Sequence, residues 1–200
     1  MQRPRFRDQV LQAREEAIMA SVNRLLSDKG FEAMTVDEVV AEVGIAKASL
    51  YKHFTSKEEL AAAAMVRVLD RAIEEARRLQ AEPLEPRAQL EALVRWTYAE
   101  QLGGRMPALP SQNSSLRAAL LVDAAYMDRL NTLSDLLGTW IEAAQQRGQL
   151  DAGLPSELVL YTLFARACDP VLGVMRATGA YTDAQIVDWL VRTCLRGLGA

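Results

Sequence analysis

Apolar positions recur at spacings of three and four along most of the chain, and strict apolar–polar alternation is nearly absent. That is the period of amphipathic helices and not of strands. The spacing predicts a first helix from about Asp8 to Lys29, with Ala17, Ala20, Val22, Leu25 and Leu26 on its buried face. Gly30 follows as its terminator. Phe31 begins a short connection to Thr35, and Thr35 with Glu38 forms a T-x-x-E capping box for a short helix through Val43. Gly44 breaks that helix, and a third is predicted from about Lys47 to Phe54. Ser56 and Glu59 repeat the capping pattern at the head of a long helix reaching about Ala81.

Pro83 and Pro86 end the long helix, and Arg87 to Leu102 reads as the next one, with Leu90, Leu93, Val94, Trp96 and Tyr98 as its apolar positions. Gly103 to Ser115 carries two glycines, Pro107 and Pro110 and reads as a loop. Leu116 to Ala125 and Met127 to Arg147 read as two further helices, and Gly148 to Pro155 as a turn. A final pair is expected at Ser156 to about Thr178 and at Asp183 to Gly197, the last capped by Thr182 with Gln185. The expected fold class is all-α.

Composition narrows the function classes. Half the residues are hydrophobic and 24% are charged, which excludes a disordered or collagen-like chain. No uninterrupted apolar run of membrane-spanning length is expected, because charges break each candidate. The N-terminal MQRPRFRDQ is basic but has no apolar core, so no secretory signal is expected. Cys168 and Cys194 form no CxxC pair and read as buried free thiols of a cytoplasmic protein. The single histidine, His53, excludes a His-rich metal site and weakens any hydrolase reading. No cofactor motif is visible, and an enzyme is not expected.

Net charge is −3, but it is unevenly spread. All four lysines, Lys29, Lys47, Lys52 and Lys57, lie in the first 57 residues, and Gly44 to Lys57 contains no acid. A local cationic excess of this kind suits phosphate contact. It coincides with the helix–glycine–helix pattern. Gly44 allows the sharp turn, and Val39, Val43, Ile45 and Leu50 are placed to bury against the first helix. Lys47, Ser49, Tyr51, Lys52 and His53 then remain on the outside of a helix that fits a major groove.

Helix–glycine–helix alone also describes ordinary bundle corners. The run IMASVNRLLSDKGFEAMTVDEVVAEVGIAKASLYKHFTSKEELAAAAM is more specific. It resembles the DNA-binding region of the TetR (tetracycline repressor) family through Gly30-Phe31, Thr35-Val36, Gly44-Ile45, Leu50-Tyr51, Phe54, and Ser56-Lys57-Glu58 followed by Leu60. The resemblance covers about residues 14–66 and implies a helix-turn-helix DNA-binding domain over 1–58 and a helical ligand-binding and dimerisation domain over 59–200. It implies that Thr35 meets a phosphate at a helix N-terminus, that Lys47, Ala48 and Ser49 face bases, and that Tyr51, Lys52, His53 and Lys57 clamp phosphates. Arg3, Arg5 and Arg7 fit either a DNA-reaching arm or a solvated terminus. His53 also fits a surface bystander, and Phe54 fits a core position. Two departures stand out. Val40 occupies a position where the family favours a small residue, and Ala46 leaves the third helix without a side-chain cap.

For the C-terminal domain the resemblance implies a homodimer through the last two helices and a small-molecule effector. Leu158, Leu160, Leu163, Phe164, Val171, Ile186, Val187, Leu190, Val191 and Leu198 supply apolar surface for docking or for an internal core. Trp96, Tyr98, Met106, Leu109, Tyr126, Met127, Trp140, Phe164 and Met175 are candidates for a cavity wall, with Asn113, Arg117, Asp123 and Asp169 as orienting groups and Cys168 as a further candidate. Each equally fits plain core or packing. The expected function is a ligand-responsive regulator, a repressor that binds a palindromic operator in double-stranded DNA as a homodimer and is released by its effector. The alternative is a DNA-bound interaction protein whose helical domain recruits a protein partner. No membrane partner is expected.

Overall fold

The computed structural model describes residues 6–107, 114–197 and 199. Among them every regular element is helical: α1 (Phe6–Ala33), α2 (Val36–Val43), α3 (Lys47–Leu50), α4 (Lys57–Gln80), α5 (Pro86–Leu102), α6 (Ser115–Val122), α7 (Ala124–Gln146), α8 (Ser156–Phe164), α9 (Pro170–Ala177) and α10 (Asp183–Gly197). A 3-10 turn, Ala165–Cys168, joins α8 to α9. Arg3, Arg5, Leu109, Asn113 and Leu198 lie outside the described residues.

Both glycine breaks fall where the sequence puts them. Gly30 leaves the helix of α1 at φ 75°, and the chain re-enters one further turn before Thr35. Gly44 takes φ 70°, ψ 37°, a left-handed conformation in which a Cβ would be strained. The Ile45 N–H closes this end on the Val40 carbonyl at 3.0 Å. The face of α1 differs from expectation. Ala17 and Ala20 are exposed, while Ile18, Met19, Val22, Leu25 and Leu26 are buried. The longer side chains at 18 and 19 remove more apolar area from water than two alanine methyls, and so set the rotation of the helix.

Two other predicted helices are shorter. Regular α3 ends at Leu50, and Tyr51 to His53 continue only as turns, with Phe54 N–H reaching the Leu50 carbonyl at 3.1 Å. The helix predicted from Ser156 to Thr178 is interrupted. Pro170 has no N–H to donate and disfavours a helical Asp169, which sits extended at φ −70°, ψ 110°. Asp169 instead caps α9 by accepting from Val171 N–H at 3.0 Å. It also accepts from the Tyr98 hydroxyl at 2.9 Å and pairs with Arg166 at 2.6 Å. Contrary to expectation, residues 156–177 are together long and apolar enough to span a membrane by length and composition, and 22% of their most apolar 18-residue window is buried.

Two apolar cores stack along α4. The N-terminal core joins α1, α2 and α3 to Leu60, Ala61, Ala62, Ala64 and Met65 of α4, and takes in Leu116, Leu120 and Tyr126. The second holds Ala72, Ile73, Ala76 and Leu79 of the same helix against α5, α7, α8 and α10. Small residues at 61, 62, 64, 72 and 76 let neighbouring helices approach α4 closely.

The buried carboxylate of Asp169 organises the break between α8 and α9. Asp169→Ala removes a helix cap, the acceptor for Tyr98 and the counter-ion of Arg166 together. The expected loss is about 3 kcal/mol of unfolding free energy, read from urea denaturation by circular dichroism. Asp169→Asn retains a capping acceptor and is expected to lose less. Equal, small losses in both would show that this carboxylate does not hold the break.

Candidate nucleic-acid interface and ligand cavity

The helix-turn-helix is assembled from short-range bonds around buried anchors. Val39 and Leu50 are fully enclosed, and Val43, Ile45 and Phe54 pack on the same core half-buried. Thr35 and Glu38 form the complete reciprocal capping box: Glu38 N–H donates to Thr35 Oγ1 at 3.3 Å, and Thr35 N–H donates to Glu38 Oε2 at 2.9 Å. The head of α4 is arranged differently from the predicted box. Ser56 Oγ accepts from Glu59 N–H at 3.0 Å, but the Glu59 carboxylate turns to the N–H and hydroxyl of Thr55, each at 2.6 Å. Ala46 makes no side-chain cap, so α3 opens without one.

The residues expected at the DNA surface differ in what holds them. Tyr51, Lys52, His53 and Ala48 are exposed, and neither the Lys52 nor the His53 side chain makes a hydrogen bond or ion pair among the described residues. Lys47 pairs with Asp37 of α2 at 2.7 Å, and that bond holds its ammonium above the usual lysine range. Ser49 accepts from Arg14 of α1 at 2.7 Å, a contact with no sequence signal. Lys57 donates to the Met34 carbonyl at 3.0 Å and lies 4.2 Å from the centroid of the Phe31 ring. The Thr35 hydroxyl donates to Glu38 at 2.7 Å. Lys52 and His53 are thus presented freely, while Lys47, Ser49, Lys57 and Thr35 are oriented by their own scaffold.

Between the two cores, beside the middle of α4, lies a cavity of about 490 Å³, within the range of small-molecule sites. Of the residues anticipated for a pocket, Trp96, Met106, Arg117, Tyr126, Phe164 and Cys168 line it. The other described candidates sit elsewhere. Tyr98 is buried on Asp169; Asp123 caps α7 through Tyr126 N–H at 2.8 Å; Trp140 belongs to the second core, with Met175 packed against it; and Met127 packs on the N-terminal core. Sequence reading missed Met65, Val68, Leu69 and Ala72 of α4, and Leu90, Leu93 and Val94 of α5. Their three-and-four spacing is that of any core stripe, so nothing local marks them as cavity wall. Burial pushes the Tyr126 phenol above its ordinary value, and the nearby Arg117 charge opposes that shift.

Comparison with known proteins places this architecture. Residues 18–64 match the family described as bacterial regulatory proteins, tetR family. The HTH-type transcriptional repressor KstR2 of Rhodococcus jostii is 29% identical over 136 residues, covering 67% of this chain and 66% of that protein, just under two thirds of its length. Among solved structures, the ketosteroid transcriptional regulator KstR2 of Mycobacterium tuberculosis superposes with a TM-score of 0.69 at 20% identity, covering 94% of this chain and 95% of that one. The transcriptional regulator FadR of Bacillus subtilis, in complex with stearoyl-CoA, superposes at 0.68 and 15% identity, covering 92% and 98%. At these identities the superpositions establish a shared fold.

The capping box yields a pH expectation. Hydrogen bonds from Lys29 and then Thr35 hold the Glu38 carboxyl down at about 2, against 4.5 for an unperturbed glutamate. A group depressed in the folded state stabilises it above the unfolded value, and that contribution fades as pH falls from about 4.5 towards 2. Thr35→Val is expected to remove part of this acid sensitivity, visible as a shallower dependence of urea midpoint on pH over that window. An unchanged slope would show that the box does not set the Glu38 titration.

Proposed function

We propose that this chain, a member of the tetR family of bacterial regulatory proteins, is a cytoplasmic transcriptional repressor that binds a palindromic operator as a homodimer and is released by a small-molecule effector. The observation that carries this reading is that α4 belongs to both functional regions. Its first turn adjoins the exposed face of Tyr51, Lys52 and His53, and its middle, from Met65 to Ala72, walls the cavity. An effector in the cavity therefore touches the helix that carries the DNA-binding unit. The division after residue 58 separates reading from regulation along the chain, while α6 packs back onto the reading unit through Leu116 and Leu120.

In this reading, Lys47, Ala48 and Ser49 face the bases, and Thr35, Tyr51, Lys52, His53 and Lys57 meet the backbone. Two such units about 34–36 Å apart would address successive turns of one face of the duplex. The dimer is supported by apolar side chains left in solvent on the C-terminal helices: Leu158 and Tyr161 of α8, Val171 and Val174 of α9, and Trp189 of α10. An apolar surface this extended is characteristic of an interface. A cavity of about 490 Å³ favours a small-molecule effector over recruitment of a protein partner. The KstR2 and FadR structures are those of a ketosteroid regulator and a regulator holding stearoyl-CoA, which supports an apolar effector here.

Selection of duplexes from a random DNA pool is expected to enrich a palindrome with half-sites about one helical turn apart. Lys52→Ala is expected to weaken that complex about tenfold and to lower its salt slope by about 1, with Tyr51→Ala weakening it as well. No enrichment, or unchanged affinity in both variants, would reject the docking surface. Val174→Glu is expected to shift the protein from dimer to monomer in analytical ultracentrifugation and to weaken operator binding in parallel. A variant that stays dimeric would reject this interface.

A further inference from the structure

The cavity wall is apolar almost throughout, with one charged exception. Among its described lining residues Arg117 is the sole ionisable cation, and none is an acid. Several other arginines set between helices hold a carboxylate: Arg71 and Arg105 share Glu100, Arg95 holds Asp188, and Arg129 holds Asp70. The Arg117 side chain makes no hydrogen bond or ion pair among the described residues. The adjacent segment 108–113, ALPSQN, contains no acid that could serve. Arg117 and Leu121 stand one turn apart on α6, both exposed and both lining the cavity, so this side of the wall meets solvent. Tyr126, which lines the same cavity, is 9% exposed and makes no side-chain hydrogen bond among the described residues. Of the other polar lining groups, the Thr97 hydroxyl already donates to the Leu93 carbonyl at 2.9 Å, and Trp96, Tyr161 and Cys168 carry no fixed charge to match Arg117.

An apolar ligand alone would need no cation at the mouth of its site. A guanidinium beside an apolar wall offers a planar fork of donors that fits carboxylate and phosphate oxygens, and at the solvent-facing mouth it can meet an anionic group whose apolar body lies within. We infer that the effector has an apolar body carrying an anionic group, that the body fills the cavity, and that Arg117 is the residue selecting the anion. This rests on the effector-released reading above and specifies the chemistry of its ligand. A carboxylate and the phosphates of an acyl thioester supply the same anionic character, and they are separated by choice of probe.

The test is equilibrium binding of radiolabelled hexadecanoate, hexadecanoyl-CoA and 1-hexadecanol to the dimeric protein, each kept below its solubility limit and the two ionic probes below their critical micelle concentrations. At least one anionic probe is expected to bind about tenfold more tightly than the alcohol, a difference of about 1.4 kcal/mol. Arg117→Gln, at an exposed helix position, is expected to keep the fold by circular dichroism and to erase that preference while retaining alcohol binding. Arg117→Lys should preserve part of it. Preference for hexadecanoate would identify the free carboxylate as the recognised group, and preference for hexadecanoyl-CoA the thioester with its phosphates. Equal binding of alcohol and anions, a preference that survives Arg117→Gln, or binding of none of the three would overturn the inference. Operator affinity measured in the same samples separates it from the broader reading. Anion binding through Arg117 with unchanged operator affinity would overturn release alone, and release by alcohol and anions alike would overturn the anion preference alone.

Discussion

The burial of α4 in two cores at once is the constraint on which the rest of the molecule depends. A helix of 24 residues is about 36 Å long and behaves as one rigid body between its caps. Its first two turns are locked among α1, α2 and α3, and its last two among α5 and α7. Neither core can change the direction of α4 without the other registering it. The cavity lies at the hand-over between them, where Met65 belongs to the N-terminal core, Ala72 to the second, and Leu69 packs on both. Filling that space favours whichever helix direction accommodates the occupant. Close packing makes such interfaces settle into discrete arrangements and not a continuum. A differential affinity of about 1–3 kcal/mol between two arrangements is the usual size of such a coupling.

Electrostatics shape the other end of the lever. The cationic excess of residues 44–57 is only partly available in the free protein, because Lys47 is engaged by Asp37 and Lys57 by the carbonyls that end α1. Under the proposed function, docking on phosphates would exchange these bonds for new ones, which would lower net affinity for any polyanion. It also keeps the side chains ordered, since each arrives with its stem already oriented. Lys52 and His53 hold no such partners among the described residues and present immediate attraction. A surface divided between tethered and free cations discriminates geometry more strongly than a uniformly free one, because the tethered groups respond only to phosphates placed where the exchange can occur.

Legibility in the sequence followed the range of the interaction concerned. The turns at Gly30 and Gly44 and the capping boxes at Thr35 and Thr182 were readable because each is set by residues within four positions of one another. The break at Asp169–Pro170 carried a local signal, the proline, but its depth depends on Tyr98, some seventy positions away, which no local pattern announces. The cavity was the least legible feature. Whether a stripe such as Met65, Val68, Leu69 and Ala72 meets a neighbour or a space depends on how far α6 and α7 stand off, a property of the assembled bundle alone. Trp96 and Trp140 illustrate this: both are aromatic helix positions, yet the first lines the cavity and the second is enclosed at 3% exposure.

The apolar run over residues 156–177 shows how a composition signal and its physical meaning part company. Length and hydropathy fit a membrane span, yet the backbone there is not one helix. It tightens into a 3-10 turn, turns extended at Asp169 and restarts at Pro170. In hydrocarbon that break would leave carbonyls without partners, and the Arg166–Asp169 pair would carry its charges into the bilayer. In the bundle the same break is satisfied from the inside, by Tyr98 and by Gln101, whose amide donates to the Arg166 carbonyl at 2.5 Å. What remains apolar and uncovered lies on the outer faces of α8 and α9, at Leu158, Tyr161, Val171 and Val174. A surface that has already satisfied its backbone internally, and is short of polar groups only outward, is suited to a second protein surface. The same break sets Ala165, Ala167 and Cys168 into the cavity wall alongside Tyr161, so the exposed apolar face and the cavity adjoin along a single kinked segment.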